Sequence, residues 1–203
     1  GENMVSEIGA YAFFGCSQLE TINTVFELEK LGEKAFQGCT ALTHINSGTG
    51  YRFEDGALYL DDMSVLISAS GVSGEFTVPE AVVEIADYAF AGNTGMTEIM
   101  IPDTLETIGQ AAFEACTALS AVTIGSGVTT IGEKAFIGCD SLVNIQVSEN
   151  NETYASLDGV LYNKTLDTVI QVPGGINTYT APATVTTLGE SALANSDKLT
   201  HVN

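Results

Sequence analysis

Apolar positions recur along this chain in one order. An Ile or Leu is followed by Gly, then Ala-Phe, Gly-Cys, a Leu, and finally Ile-x-Ile. The segment IGEKAFIGCDSL at 131–142 nearly repeats LGEKAFQGCTAL at 31–42, and looser copies begin at 8, 85, 108 and 188. Phe13 to Phe36, Phe90 to Phe113 and Phe113 to Phe136 are each 23 positions apart, as are Cys16 to Cys39 and Cys116 to Cys139. A fixed period in the twenties predicts a stacked solenoid. One coil cannot bury its apolar side alone, so stacked coils must present the same residue at the same place. Ile22, Ile45, Ile99, Val122, Ile145 and Val202 are expected to form one buried ridge. The Phe residues form another, interrupted by Leu193, while Ala12, Ala35, Ala89, Ala112, Ala135 and Ala192 let neighbouring backbones approach.

Within a coil, L-x-x-I-x-I alternates like a strand with one buried face. In G-E-K-A-F-x-G-C the apolar residues stand three and four apart, which predicts a short helical turn on the opposite wall. Successive strands should pair in parallel about 4.8 Å apart. The fold class read from this pattern is an α/β solenoid forming a single unit over 1–203. Its coils lie near 8–30, 31–53, 85–107, 108–130, 131–153 and 188–203.

Two inserts, 46–82 and 146–185, break the period and match each other. Asp55 to Asp158, Phe76 to Tyr179 and Pro79 to Pro182 are all 103 positions apart, so a unit of that size is duplicated. Apolar and polar residues alternate on both sides of a polar turn, which predicts a β-hairpin in each insert. In the second, strands are expected near 157–162 and 168–172 with the turn at 163–167. Tyr59 and Tyr162 are equivalent and are expected to pack the hairpins onto the stack.

Composition narrows the function. The 203 residues carry 26 acidic and 6 basic side chains, a formal charge of −20 and a pI near 4.1. Such a surface repels nucleic acid and anionic membranes. No apolar run approaches the roughly 18 residues of a membrane span. Four Cys occupy one repeat position, where Asn93 also stands. An inter-coil disulfide is sterically conceivable, but the Asn substitution points to a buried polar rung that satisfies backbone groups. No zinc-ligand spacing is present. His44 and His201 fall on exposed strand positions coils apart, and Asp61-Asp62 on the turn of the first hairpin, so no catalytic or metal-binding arrangement is expected and no cofactor is implied. Two sequons, at Asn151 and Asn163, matter only in a glycosylating host.

By alternation, one row of strand residues faces outward. His44, Asn46, Glu98, Met100, Asn144 and Gln146 are the binding candidates within it. Thr21, Asn23, Ala121, Thr123, His201 and Asn203 complete the row, which is mostly neutral although the chain is acidic. The chain ends at KLTHVN, inside a repeat strand with no polar cap, so the expectation is either a part of a longer protein or an open parallel edge able to self-associate edge to edge with a second molecule.

The A-F-x-G-C-x-x-L core at 23-residue spacing, with D-G-x-L-Y inserts at 55–59 and 158–162, resembles the BspA-like leucine-rich repeat family from Ile8 to Val202. The chain departs from the pattern at Asn93, Leu193 and Ser196. The resemblance implies a leucine-rich repeat right-handed superhelix on the surface of a bacterium, or secreted by it, after removal of a signal peptide. It implies no catalytic residues. The expected role is non-enzymatic adhesion to a host or neighbouring-cell protein through the exposed strand face. The alternatives are a structural spacer and a carbohydrate-binding module.

Overall fold

The computed structural model describes residues 6–23, 30–46 and 50–203. The chain winds into a β-solenoid of about eight turns. Turn one carries β1 (Glu7–Ile8) and β2 (Thr21–Asn23), and turn two β3 (Lys30–Leu31) and β4 (His44–Asn46). A meander follows, β5 (Tyr51–Glu54), β6 (Ala57–Leu60) and β7 (Val65–Ser68), whose last strand opens turn three; β8 (Gly74–Thr77) completes it. Turn four holds β9 (Glu84–Ile85) and β10 (Met96–Met100), and turn five β11 (Thr107–Ile108) and β12 (Ala121–Ile124). Turn six holds β13 (Thr130–Ile131) and β14 (Asn144–Val147). A second meander, β15 (Tyr154–Leu157), β16 (Val160–Asn163) and β17 (Thr168–Gln171), opens turn seven, and β18 (Thr178–Tyr179) completes it. Turn eight holds β19 (Thr187–Leu188) and β20 (His201–Val202).

Pairing between turns is parallel and keeps the 23-residue register except at β7–β9 and β17–β19, where Leu66 stands beside Ile85 and Val169 beside Leu188. Ile99 stands beside Val122 and Val122 beside Ile145, while Ile85 stands beside Ile108 and Ile108 beside Ile131. The Phe row stacks face to face, with ring centroids 5.0 Å apart for Phe90–Phe113 and 5.1 Å for Phe113–Phe136. Both ridges are buried through the middle of the stack, where Phe113, Leu119, Val122 and Ile145 have no exposed surface, but at its ends Phe13 is only half-buried and Val202, expected in the Ile ridge, is 56% exposed.

The expected helical turns do not form. Among the described residues there is no α-helix, so the architecture is all-β and not α/β. The stretch spaced for a helix is instead a run of tight turns. Tyr88, Ala111 and Lys134 have left-handed backbone, and so do Gly92, Ala115 and Gly138 four residues further on. A left-handed residue every fourth position cannot propagate a right-handed helix. Each non-glycine residue there costs roughly 1–2 kcal/mol. What offsets the cost is alternate hydrogen bonding. The amides of Tyr88, Phe90 and Gly92 reach across to the carbonyls of Gln110, Ala112 and Glu114 in the next turn, at 3.0, 2.8 and 2.7 Å. The amides of Ala89, Ala91 and Asn93 close local turns onto residues three back.

The inserts also differ from the expected hairpins. Asp158-Gly159 is itself a tight turn that splits the expected 157–162 strand into β15 and β16, so each insert is a three-stranded antiparallel meander. Its third strand is a rung of the stack: β7 pairs in parallel with β9, and β17 with β19. Turns three and seven are therefore real coils, but short ones. Ile85 and Ile99 are fourteen positions apart, whereas their register partners Leu66 and Phe76 are ten apart, so four residues are missing from the turn wall. No Phe rung exists there. Phe76 fills the space from the strand side, its ring 5.8 Å from Phe90 and edge-on to it. In turn seven Tyr179 occupies the same place, its hydroxyl 3.4 Å from that of Tyr162. Tyr59 and Tyr162 are buried and seat the meanders, as expected.

The Cys position is the predicted polar rung. The thiols of Cys39, Cys116 and Cys139 donate to the Phe13, Phe90 and Phe113 carbonyls of the preceding turn at 3.1, 3.1 and 3.0 Å. All four Cys are free. Cys16 is the exception to burial: it lies in the first described turn and is exposed. Asn93 follows a short turn and uses its longer side chain. Its amide donates to the Ala69 and Val72 carbonyls, both at 2.9 Å, and its oxygen accepts from the Gly95 and Met96 amides. Asn151 makes the same four contacts, to Gly125, Val128, Thr153 and Tyr154, and is fully buried, so this sequon is closed to glycosylation in the folded chain.

Two outcomes follow from this packing. Phe113→Ala is expected to lower unfolding free energy by about 3–5 kcal/mol, because its cavity lies between two stacked rings. Thr123→Ala on the exposed face should change it by less than about 0.5 kcal/mol; urea unfolding followed by circular dichroism compares the two. Burial pushes the Cys39 thiol from 9.0 up to about 11 and raises Tyr59 and Tyr162 in the same sense, while the side-chain hydrogen bond with Cys139, followed by burial, raises Cys116. The folded chain then holds these protons more tightly than the unfolded one. Stability is expected to be intact below pH 9 and to fall as pH rises from 9 through about 11, which urea midpoints across that range will read.

Candidate functional site

The candidate is the outer face of the four-stranded sheet ordered β14-β12-β10-β8. Isoleucine and valine occupy the inward positions, so alternation forces their neighbours out. Glu98, Thr123, Asn144 and Gln146 are exposed, and Met100 is 49% exposed. Parallel register aligns them in two rows: Glu98, Ala121 and Asn144 in one, Met100, Thr123 and Gln146 in the other. Adjacent members of a row are about 4.8 Å apart, as strand spacing requires. Four of the six predicted residues are therefore brought together.

The other two are not. His44 is exposed, but among the described residues β4 pairs with β2 alone, in a separate two-stranded sheet. Asn46 ends β4, and its side chain, like that of Asn23, lies outside the described residues. His201 is on β20, in a third sheet with β18, and its ring nitrogen lies 2.9 Å from the Thr200 hydroxyl.

Two members of the face escaped the sequence pattern. Glu75 and Thr77 on β8 are exposed and in register with Glu98 and Met100. They fall in a segment assigned to the first hairpin. The signal was present in EFTVP at 75–79, which has the pattern of EIMIP at 98–102. With them the first row becomes Glu75, Glu98, Ala121, Asn144: acidic at one end and neutral at the other.

The second meander bounds this face. The Ile145 amide donates to the Gly159 carbonyl at 2.9 Å, and the Val147 amide to the Ser156 hydroxyl at 2.9 Å, so the β14 edge is covered. On the opposite wall the Tyr154 hydroxyl accepts from the Ile131 amide at 3.0 Å, where the next short strand would have stood. Several polar side chains are committed to such work. Asp87 and Asp103 each accept a backbone amide of the next turn at 2.6 Å, and the bond to Ser126 holds the Asp103 carboxyl below its usual range. Asp167 is lowered likewise by bonds from Asn163, Thr165 and Thr168 inside the second meander. Among the described residues no group of three potential ligands could hold a metal ion, and no helix is long and apolar enough to cross a membrane.

Comparison with known proteins agrees with this architecture. The family described as "BspA type Leucine rich repeat region" matches residues 2–60 and 72–200, in six copies. No curated protein matches the chain. Among solved structures, a leucine rich cell surface protein from Faecalibacterium prausnitzii is 27% identical with a TM-score of 0.70, over 98% of this chain and 51% of that one. A leucine-rich repeat protein from Bacteroides ovatus is 19% identical with a TM-score of 0.52, over 98% of this chain and 58% of that one. The chain thus spans between half and three-fifths of the length of these two. With its repeat, its register and its buried Phe and Cys rungs all accounted for, this chain belongs to the BspA-type leucine-rich repeat family.

Proposed function

We propose that this chain is a protein-binding module of a bacterial cell-surface or secreted protein, and that it docks its partner on the exposed face of β8, β10, β12 and β14. The observation that carries this reading is the face itself. It is a bare parallel sheet whose outward side chains have few bonds to the rest of the chain, unlike the polar groups elsewhere that hold adjacent turns together. Extended solenoid faces of this kind present a rigid, pre-formed surface, so little ordering entropy opposes docking. The similarity to a leucine rich cell surface protein supports the location. A carbohydrate platform fits less well, because Tyr59, Tyr162 and Tyr179 are buried and no aromatic ring stands on the face. Catalysis is not part of the proposal: the face offers carboxylates and amides but no nucleophile and base within reach of each other.

Surface plasmon resonance against a panel of host extracellular-matrix proteins tests it. The wild-type chain is expected to bind at least one panel member. The combined Glu98→Lys, Asn144→Arg, Gln146→Lys variant should lose at least tenfold in affinity for that member, with an unchanged melting temperature. Undiminished binding by the variant would remove this face from consideration.

A further inference from the structure

The two short turns leave two equivalent slots in the turn wall. One lies between turns two and four, the other between turns six and eight, at the places where four residues are missing. In ordinary neighbours every second amide of the wall crosses to the next turn. At the second slot the corresponding amides of Lys134, Phe136 and Gly138 have no acceptor among the described residues. On the facing wall the carbonyls of Glu190 and Ala194 have no donor among the described residues, while the Ala192 carbonyl between them accepts from the Val172 amide at 2.8 Å and the Gln171 side-chain amide at 3.5 Å. Pro173-Gly174-Gly175 takes the short path beneath, pressed so close that a Cβ on Gly175 would meet the Leu142 carbonyl oxygen at 2.6 Å.

The dimensions match a single extended chain. Walls two turns apart are separated by about 9.6 Å, twice the strand spacing, so one backbone spans them; turn seven's own does so at Val172, and the recess left open lies beside Lys134, Phe136 and Glu190. The cavity encloses about 260 Å³. Unpaired amides on one wall and unpaired carbonyls on the other are what strand addition uses: the backbone bonds supply affinity and the lining supplies selectivity.

The lining favours positive charge by two carboxylates, Glu133 and Glu190, against the single ammonium of Lys134. Glu133 and Glu190 are exposed at the slot, within a chain of formal charge −20. The first slot shows what a cation does there. It has the same unpaired amides, on Lys34, Phe36 and Gly38, and encloses about 310 Å³. The chain spans it with its own lysine: Lys34 Nζ lies 3.7 Å from the centroid of the Tyr88 ring and 3.8 Å from a Glu114 carboxylate oxygen. In the second slot Ser191 stands where Tyr88 stands in the first, so the strap has no ring to rest on, and Lys134 is exposed.

We propose that the second slot docks an extended, lysine- or arginine-bearing peptide segment of a partner protein, which replaces the missing turn. This rests on the turn wall and not on the sheet face.

The probe is the blocked peptide acetyl-Lys-Val-Lys-Val-Lys-amide, with acetyl-Glu-Val-Glu-Val-Glu-amide as control, read by residue-resolved amide hydrogen exchange on the whole chain. Saturating basic peptide is expected to slow exchange of the Lys134, Phe136 and Gly138 amides at least tenfold, while the acidic peptide leaves them unchanged. Glu133→Lys with Glu190→Lys, both at exposed positions, should weaken the basic peptide at least tenfold without altering the melting temperature. Inserting four residues after Val172, to restore a full-length turn, should abolish binding. If the insertion does not fold, the charge-reversal pair decides alone. The proposal fails if the basic peptide gives no protection at these amides, if both peptides protect equally, or if the charge reversal leaves affinity unchanged.

Discussion

Everything in this structure depends on register between neighbouring turns. A turn-wall residue in left-handed backbone is unfavourable alone, and a buried Phe or Cys rung has nothing to pack on. Both become favourable only when an identical turn lies one strand-spacing away and supplies carbonyls, a ring face and a thiol acceptor. Even surface hydroxyls follow the rule. Thr43, Ser120 and Thr200 each donate to a carbonyl 23 positions earlier, on Glu20, Thr97 and Asn177. Sequence identity at a fixed interval is therefore a record of stacking.

The same constraint explains where the sequence departs from its own pattern. When turn three drops four residues, Phe76 appears on the strand side to fill the vacated core, and Ser70 donates to the Phe36 carbonyl at 2.8 Å, the bond a Cys makes elsewhere. Asn93 replaces Cys because the carbonyls it must reach, on Ala69 and Val72, belong to a shorter turn. The duplicate is less complete. Ser196 stands in the Asn93 position and its buried hydroxyl finds no partner among the described residues, while Gln171 serves the Val172 carbonyl at 2.8 Å. Substitutions that look like decay of a repeat are local answers to a change in turn length.

The stack was legible in the sequence because its cause is periodic. The 23-residue spacing located the Phe, Cys and Ile rungs, and the Asn93 substitution disclosed that the Cys position is polar and buried. The wall chemistry was not legible. Apolar residues three and four apart suit a helix and a run of tight turns equally, and only backbone conformation at Tyr88, Lys134 and their equivalents separates them. Turns three and seven were hidden for a related reason. With four residues gone and Phe76 or Tyr179 in place of Ile, they no longer match the 23-residue template. The outward row was legible where turns are full length, at Glu98, Met100, Asn144 and Gln146. It was extended too far at His44, since strand alternation cannot reveal that β4 and β8 lie in different sheets.

The most direct test of this account is excision of one whole period. Removing 107–129 brings Thr130 into the register of Thr107 and Phe136 against Phe90, so every rung finds an equivalent partner. Removing 107–118 cuts half a period and sets strand against turn. Urea unfolding followed by circular dichroism should show a cooperative transition for the first deletion and none for the second. If both unfold alike, or the half-period deletion is the more stable, stacking in register is not what holds the chain together.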